Sequence, residues 1–170
     1  ALLAATINVG APAAQDVRPG PRILTVAQWQ EDLAVLTKTV TEKHRHAFDT
    51  VSRADFEKAA AELRAGIPTF ADHEVVVGMI RLVAMIRDGH SRLTMPAPPG
   101  VDTQSHTATN APLAGLAFHA LPVQFYLFSD GLHVQAAVPE LRALIGAKVV
   151  RIGRLTGEAA LEAVRPTVAY

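Results

Sequence analysis

The stretch DHEVVVGMIRLVAMIRDGHSRL, residues 72–93, carries an apolar stripe that stops on a Gly-His-Ser step. Val75, Val76, Met79, Ile80, Val83 and Ile86 recur at helical spacing, and so broad a stripe suits a helix packed among neighbours. Thr69 or Asp72 can cap its start, and Gly89 suits the C′ position just past its end. The segments before it are helical by the same test, whereas those after it are mainly loop and strand. The fold class turns on that change.

Working back toward the N-terminus, Thr25 stands three residues before Gln28, a capping-box spacing. Trp29, Leu33, Leu36 and Val40 then share one helical face, while Gln30, Glu31, Lys38 and Glu42 can face water. That helix should end near KHRHAF, residues 43–48. Ser52 and Asp55 repeat the capping pattern ahead of Phe56, Ala59, Ala60 and Leu63. RAGIP, residues 64–68, closes this second helix, with Gly66 at C′ and Pro68 beyond. Residues 25–95 therefore read as a three-helix subdomain. Before them, DVRPGPR at 16–22 is punctuation, and residues 1–24 read as a disordered or processed arm. ALLAATINVGAPAAQ is too short to span a bilayer and lacks the basic flank of a complete signal peptide. It leaves export and the cytoplasm equally open.

Working forward, the texture changes. Asp102 is the only charged residue between Arg92 and Asp130, and residues 96–112 read as a linker. LAFHALPVQFYLFSDGLHVQAAV, residues 116–138, holds two extended runs about Asp130-Gly131, a hairpin signal with positive φ at the glycine. Gly146 leads into AKVVRIG, a strand closed by Gly153, and Thr156 opens the helix GEAALEAV, which ends before Pro166. Residues 113–170 thus form a small mixed module, an incomplete sheet that wants more strands. The fold class is α+β.

Composition narrows the function. Lys plus Arg and Asp plus Glu balance at 16 each in 170 residues, so no basic surface points to nucleic acid. The chain has no cysteine, which excludes disulfides, thiolate catalysis and Cys-based zinc sites. No Walker loop, GxGxxG or GxSxG occurs, and Glu31, Asp32, Glu57 and Glu62 read as exposed helix residues rather than paired catalytic acids. No cofactor and no metal are expected.

His90 is the candidate with chemistry, because imidazole accepts and returns a proton near neutral pH. Its competing role is to face the last carbonyls of the helix. Asp88 is too near in a tight turn for the sequence alone to set it against the ring, and Ser91 has no better claim to nucleophilicity than any serine beside a histidine. Arg87 and Arg92 flank the step and could attract a peptide carboxylate, although solvated helix-end charge explains them as well. His44 and His46, two residues apart, do not share a helical face and have no third ligand at motif spacing. His73, His106, His119 and His133 carry no signature.

The order of segments adds a resemblance. WQEDLAVLTKTVTEKHRHAFDTVSRADFEKAAAELRAGIP, then MIRLVAMIRDGHSRL, then LPVQFYLFSDGLHVQAAVPELRALIGAKVVRIGRLTGEAALEAVRP resembles the N-terminal half of S41-type serine peptidases, the C-terminal-processing and tricorn-like proteases. The resemblance runs from Trp29 to Pro166. It implies a helical region, then a PDZ-like module containing 147–164 that binds or gates peptides, and then a crotonase-like catalytic domain beyond Tyr170. Asp88-Gly89-His90-Ser91 matches the family's DGHT-like step, with serine replacing threonine, and Arg154 stands where a second glycine is common. In the tricorn-like branch a histidine from the helical region reaches the nucleophilic serine of the later domain. The C-terminal-processing branch uses a serine–lysine pair, which would leave His90 structural. The chain starts without Met and is expected to be a fragment of a longer protein, inactive alone. Its partners are then a peptide or protein substrate and the downstream catalytic domain. Two alternatives stand beside this reading. One is a non-catalytic peptide-binding or scaffolding module; the other is a homo-oligomer assembled through the helices and linker.

Overall fold

The computed structural model describes residues 4–7, 23–93 and 121–169. The chain divides into two compact units. Val17–Thr94 with Arg165–Tyr170 make a helical unit, and Ala1–Asp16 with Met95–Val164 make a sheet unit. The fold is α+β, with a helical region followed by a mixed sheet and its helix. The linker at 96–112, the start of the second module at 113–120, His106 and His119 lie outside the described residues.

In the helical unit, α1 spans Val26–Lys43 and starts on the expected capping box. Thr25 Oγ1 accepts from the Gln28 amide and Gln28 Oε1 accepts from the Thr25 amide, at 3.3 and 2.9 Å. The second helix, α2, spans Arg53–Gly66 and is capped by Ser52 Oγ on the Asp55 amide at 3.0 Å. The third, α3, spans Asp72–Ala84. Its N-cap is Ala71, which has no side-chain acceptor, and the Glu74 carboxylate compensates by accepting from the Ala71 amide at 2.8 Å. Asp72 is the first helical residue instead and binds across the unit, its Oδ1 accepting from Trp29 Nε1 at 2.7 Å and its Oδ2 from the Ile23 amide. Trp29, Leu33 and Val40 of α1, Phe56, Ala60 and Leu63 of α2, and Val75, Val76, Met79, Leu82 and Val83 of α3 are buried.

Two expected helix ends differ. Gly66 does not sit past the end of α2 but is its last residue, and the chain stays right-handed at Ile67. Space is the reason for glycine here, because a Cβ would lie 2.3 Å from the Phe70 ring. At the end of α3 the left-handed residue is Arg87, with φ 54°, and Gly89 is not left-handed. Non-local contacts set this earlier stop. Ile86 is buried, and its carbonyl accepts from Thr50 Oγ1 at 2.7 Å, so the chain is held before it reaches the glycine.

In the sheet unit, β1 spans Ala4–Ile7, β2 Val123–Phe128, β3 Gly131–Ala137, β4 Lys148–Ile152 and β5 Leu155–Thr156. The order is β1-β4-β3-β2, with β5 also on β4. The β2–β3 hairpin closes over Ser129 and Asp130, and Gly131, with φ 129°, opens β3 opposite Phe128. Val123, Val134 and Val149 form the buried centre, with Phe125, Leu132, Leu141, Leu144 and Ile152 packed on it. Helix α4, Gly157–Val164, begins with Thr156 Oγ1 accepting from the Ala159 amide at 3.1 Å. Part of the segment read as an N-terminal arm is strand: β1 pairs in parallel with β4, Ala4 opposite Lys148 and Ala5 opposite Val149. Residues 165–169 leave the sheet module and join the helical unit, because Pro166 cannot continue α4 and the chain turns there.

Candidate functional site

The Asp88–Ser91 turn comes after the left-handed Arg87 and is closed by the Ser91 amide donating to the Asp88 carbonyl at 2.8 Å. The Asp88 side chain folds back over this turn. Its Oδ1 accepts from the His90 amide at 3.0 Å, an Asx turn, and lies 3.3 Å from His90 Nδ1. Its Oδ2 accepts from Ser91 Oγ at 3.0 Å. The His90 backbone N–H, and after it the Ser91 hydroxyl, hold the Asp88 carboxyl below the ordinary carboxylate range against a small opposing desolvation.

Asp88 and His90 therefore do meet, which sequence proximity alone did not establish. With Asp88 ionised, the proton of a neutral His90 ring belongs on Nδ1, facing the carboxylate, and Nε2 carries the open lone pair. The side chain of His90 is 97% exposed, so that lone pair faces solvent. The Nδ1 contact is longer than a well-formed N–H···O bond. Gly89 lies between the two, and a Cβ there would meet open space, so its position is not forced by crowding.

One residue joins the cluster that sequence reasoning left out. His44, at the end of α1, places Nε2 2.8 Å from Ser91 Oγ and 3.5 Å from Asp88 Oδ2. Its Nδ1 accepts from the His46 amide at 3.3 Å, which assigns the ring proton of a neutral His44 to Nε2. His44 then donates to Ser91 and Ser91 donates to Asp88. The serine proton points at a carboxylate rather than at a basic nitrogen, so Ser91 is arranged as a strut and not as an activated nucleophile. The only hint in the sequence was the HRH pair, and its use depends on a contact across 47 residues. His46 instead meets Asp49 at 2.9 Å on the surface.

His133 sits on β3, where its Nε2 lies 3.1 Å from the Asp130 carboxylate and its Nδ1 3.3 Å from the Gly146 carbonyl. It ties the hairpin to the turn before β4. Among the described residues no three His, Asp or Glu side chains gather where they could hold a metal ion. No described helix is long and apolar enough to cross a membrane. No protein-family model, curated protein or solved structure matches this chain.

Proposed function

We propose that this chain supplies the base side of a serine-type peptidase site. His90 is the proton acceptor and Asp88 the residue that orients it, while the nucleophile and the oxyanion donors come from a crotonase-like domain outside this sequence. One observation carries the reading: the Asp88 carboxylate lies against His90 Nδ1 while the other face of the ring is open to solvent. In the reaction, Nε2 takes the serine proton as the hydroxyl oxygen attacks a peptide carbonyl, and then returns it to the leaving amine. Water deacylates the ester by the same route in reverse. Asp88 favours the imidazolium that forms in between. Ser91 and His44 hold Asp88 in register.

The substrate class is peptide or protein, and the sheet unit is the PDZ-like part of the same assembly. The test uses the coding sequence downstream of Tyr170 and the whole polypeptide it encodes. A glycine-bounded serine is expected there, and a fluorophosphonate probe should label it. His90→Ala should then lower kcat/KM for a peptide substrate by roughly 100-fold or more, the scale of general-base catalysis. The 170-residue chain alone should neither label nor cleave. Full activity in the His90→Ala protein would assign the base elsewhere, to a lysine for example, and would end the proposal for His90.

A second reading, a non-catalytic peptide-binding module, draws on the edge of the sheet. Among the described residues β2 has a strand neighbour on one side only, carries no charge, and exposes Tyr126, Leu127 and Phe128. Such an edge can accept an extended peptide as an added strand. A stop codon directly after Tyr170 would favour this reading over the peptidase.

A further inference from the structure

His44 is the C-cap of α1, where the chain leaves the helix in an extended conformation. The turn that follows brings the His46 backbone N–H to 3.3 Å from His44 Nδ1, while Nε2 lies 2.8 Å from Ser91 Oγ. The His44 side chain is 24% exposed against 97% for His90, so one ring is packed into the turn and the other projects from it. Among the described residues no hydrogen bond joins the two rings. Ser91 and Asp88 lie between them.

A hydroxyl can donate toward either neighbour, and a neutral imidazole can carry its proton on either nitrogen, so a chain of such groups has two polarities. A backbone amide has one, because it only donates. The His46 N–H therefore fixes the sense of the whole chain. It takes the lone pair of His44 Nδ1, which leaves the ring proton on Nε2 to donate to Ser91. The Ser91 proton is then free for Asp88 Oδ2, at 3.0 Å. In the reverse polarity His44 would turn an N–H against the His46 N–H, and Ser91 would donate to His44 instead of Asp88. One amide and one carboxylate oxygen would both lose a partner. With Oδ2 held, Oδ1 keeps its place against the His90 amide at 3.0 Å and the ring Nδ1 at 3.3 Å.

An exposed histidine in water favours the tautomer with its proton on Nε2, and the hydrogen bond made by the other nitrogen is what overrides that preference. We infer that His44 is a positioning residue for His90: through Ser91 and Asp88 it keeps the His90 proton on Nδ1 and leaves the outward Nε2 unprotonated. The consequence for catalysis rests on the peptidase reading. The tautomer does not, and a protein with no hydrolytic activity would still show it.

Long-range proton–nitrogen NMR of the nitrogen-labelled 170-residue chain, at a pH where both rings are neutral, reports which nitrogen of each ring is protonated. His44 should carry its proton on Nε2 and His90 on Nδ1. His44→Leu should move the His90 balance toward the Nε2–H form by about threefold or more, the scale of one lost hydrogen bond. His44→Gln keeps a donor for Ser91 and an acceptor for the His46 amide, and should restore most of the balance. Ser91→Ala should shift His90 as His44→Leu does. The double variant should go no further than either single one, because the two residues act in series. In the whole polypeptide His44→Leu should lower kcat and leave KM unchanged. A parent chain with the His44 proton on Nδ1 overturns the inference, and that spectrum decides even where a variant fails to fold. So does a His90 balance that ignores His44→Leu, or a double variant that exceeds both single ones. An unmoved His90 in an active polypeptide would end the role of His44 and leave the peptidase reading standing. A His90 that shifts as expected in a polypeptide without activity would do the opposite.

Discussion

Asp88 takes hydrogen bonds from the His90 amide and the Ser91 hydroxyl and lies beside the His90 ring, so one carboxylate organises the whole turn. A carboxylate surrounded by donors is more stable ionised in the folded protein than in the unfolded chain, where its pKa is about 3.9. Its folded value is displaced downward. Ionised Asp88 therefore contributes stability that is fully present above the unfolded value. That contribution is lost as pH falls through the lowered folded value. The group is solvent-accessible, which keeps the effect local to the turn. Carbon-detected NMR of the side-chain carboxyl should give a midpoint below that of free aspartate, and the Ser91 and His90 amide shifts should move with the same midpoint. An ordinary midpoint, or amide shifts that ignore it, would mean that the turn is not held by this carboxylate in solution.

Each helix of the N-terminal unit is started by a short-range device and kept by long-range burial. Phe56 illustrates the second part. It lies on α2 with no exposed surface, and its ring meets Phe48 edge-on at 5.9 Å. Arg53, one turn earlier, covers the other ring with its guanidinium 4.4 Å from the Phe48 centroid. Phe48 belongs to the connection between α1 and α2, so this aromatic pair fixes that connection as well as the core. Truncating a fully buried phenylalanine removes its transfer free energy and leaves a cavity. Phe56→Ala should cost about 3–5 kcal/mol in denaturant unfolding of the chain. Phe56→Leu, which keeps most of the volume, should cost clearly less. A loss below about 1 kcal/mol for the alanine variant would contradict this packing.

At the scale of the whole molecule, legibility in the sequence tracks the range of the interaction that decides each feature. The Thr25 capping box, the Ser52 cap, the apolar stripes, the hairpin at Asp130-Gly131 and the Thr156 cap are local, and each is visible within a few residues, whereas α3 starts on Ala71, held by Glu74, and not on Thr69 or Asp72. The stop of α3 at Ala84, the left-handed Arg87 and the entry of His44 into the Asp88 cluster are decided by contacts 36 to 47 residues apart, and periodicity carries no trace of them. The same holds for β1, whose partner strand among the described residues is β4, near the other end of the chain. Neighbours, rather than propensity, should then set local stability within each unit. In the helical unit, α3 has five buried side chains between Val75 and Val83 and packs on both α1 and α2. In the sheet unit, β3 and β4 have strands on both sides, and β2 has one among the described residues. Native-state hydrogen exchange should therefore find the slowest amides of the helical unit in α3, around Val76 to Val83. Those of the sheet unit should fall in β3 and β4, around Val134 and Val149. Along β2 protection should alternate, because successive amides point toward β3 and away from it. Uniform slow exchange along β2 would mean that the outer edge is covered in solution, and Leu127→Lys, which discourages strand pairing at an edge, should then restore the alternation.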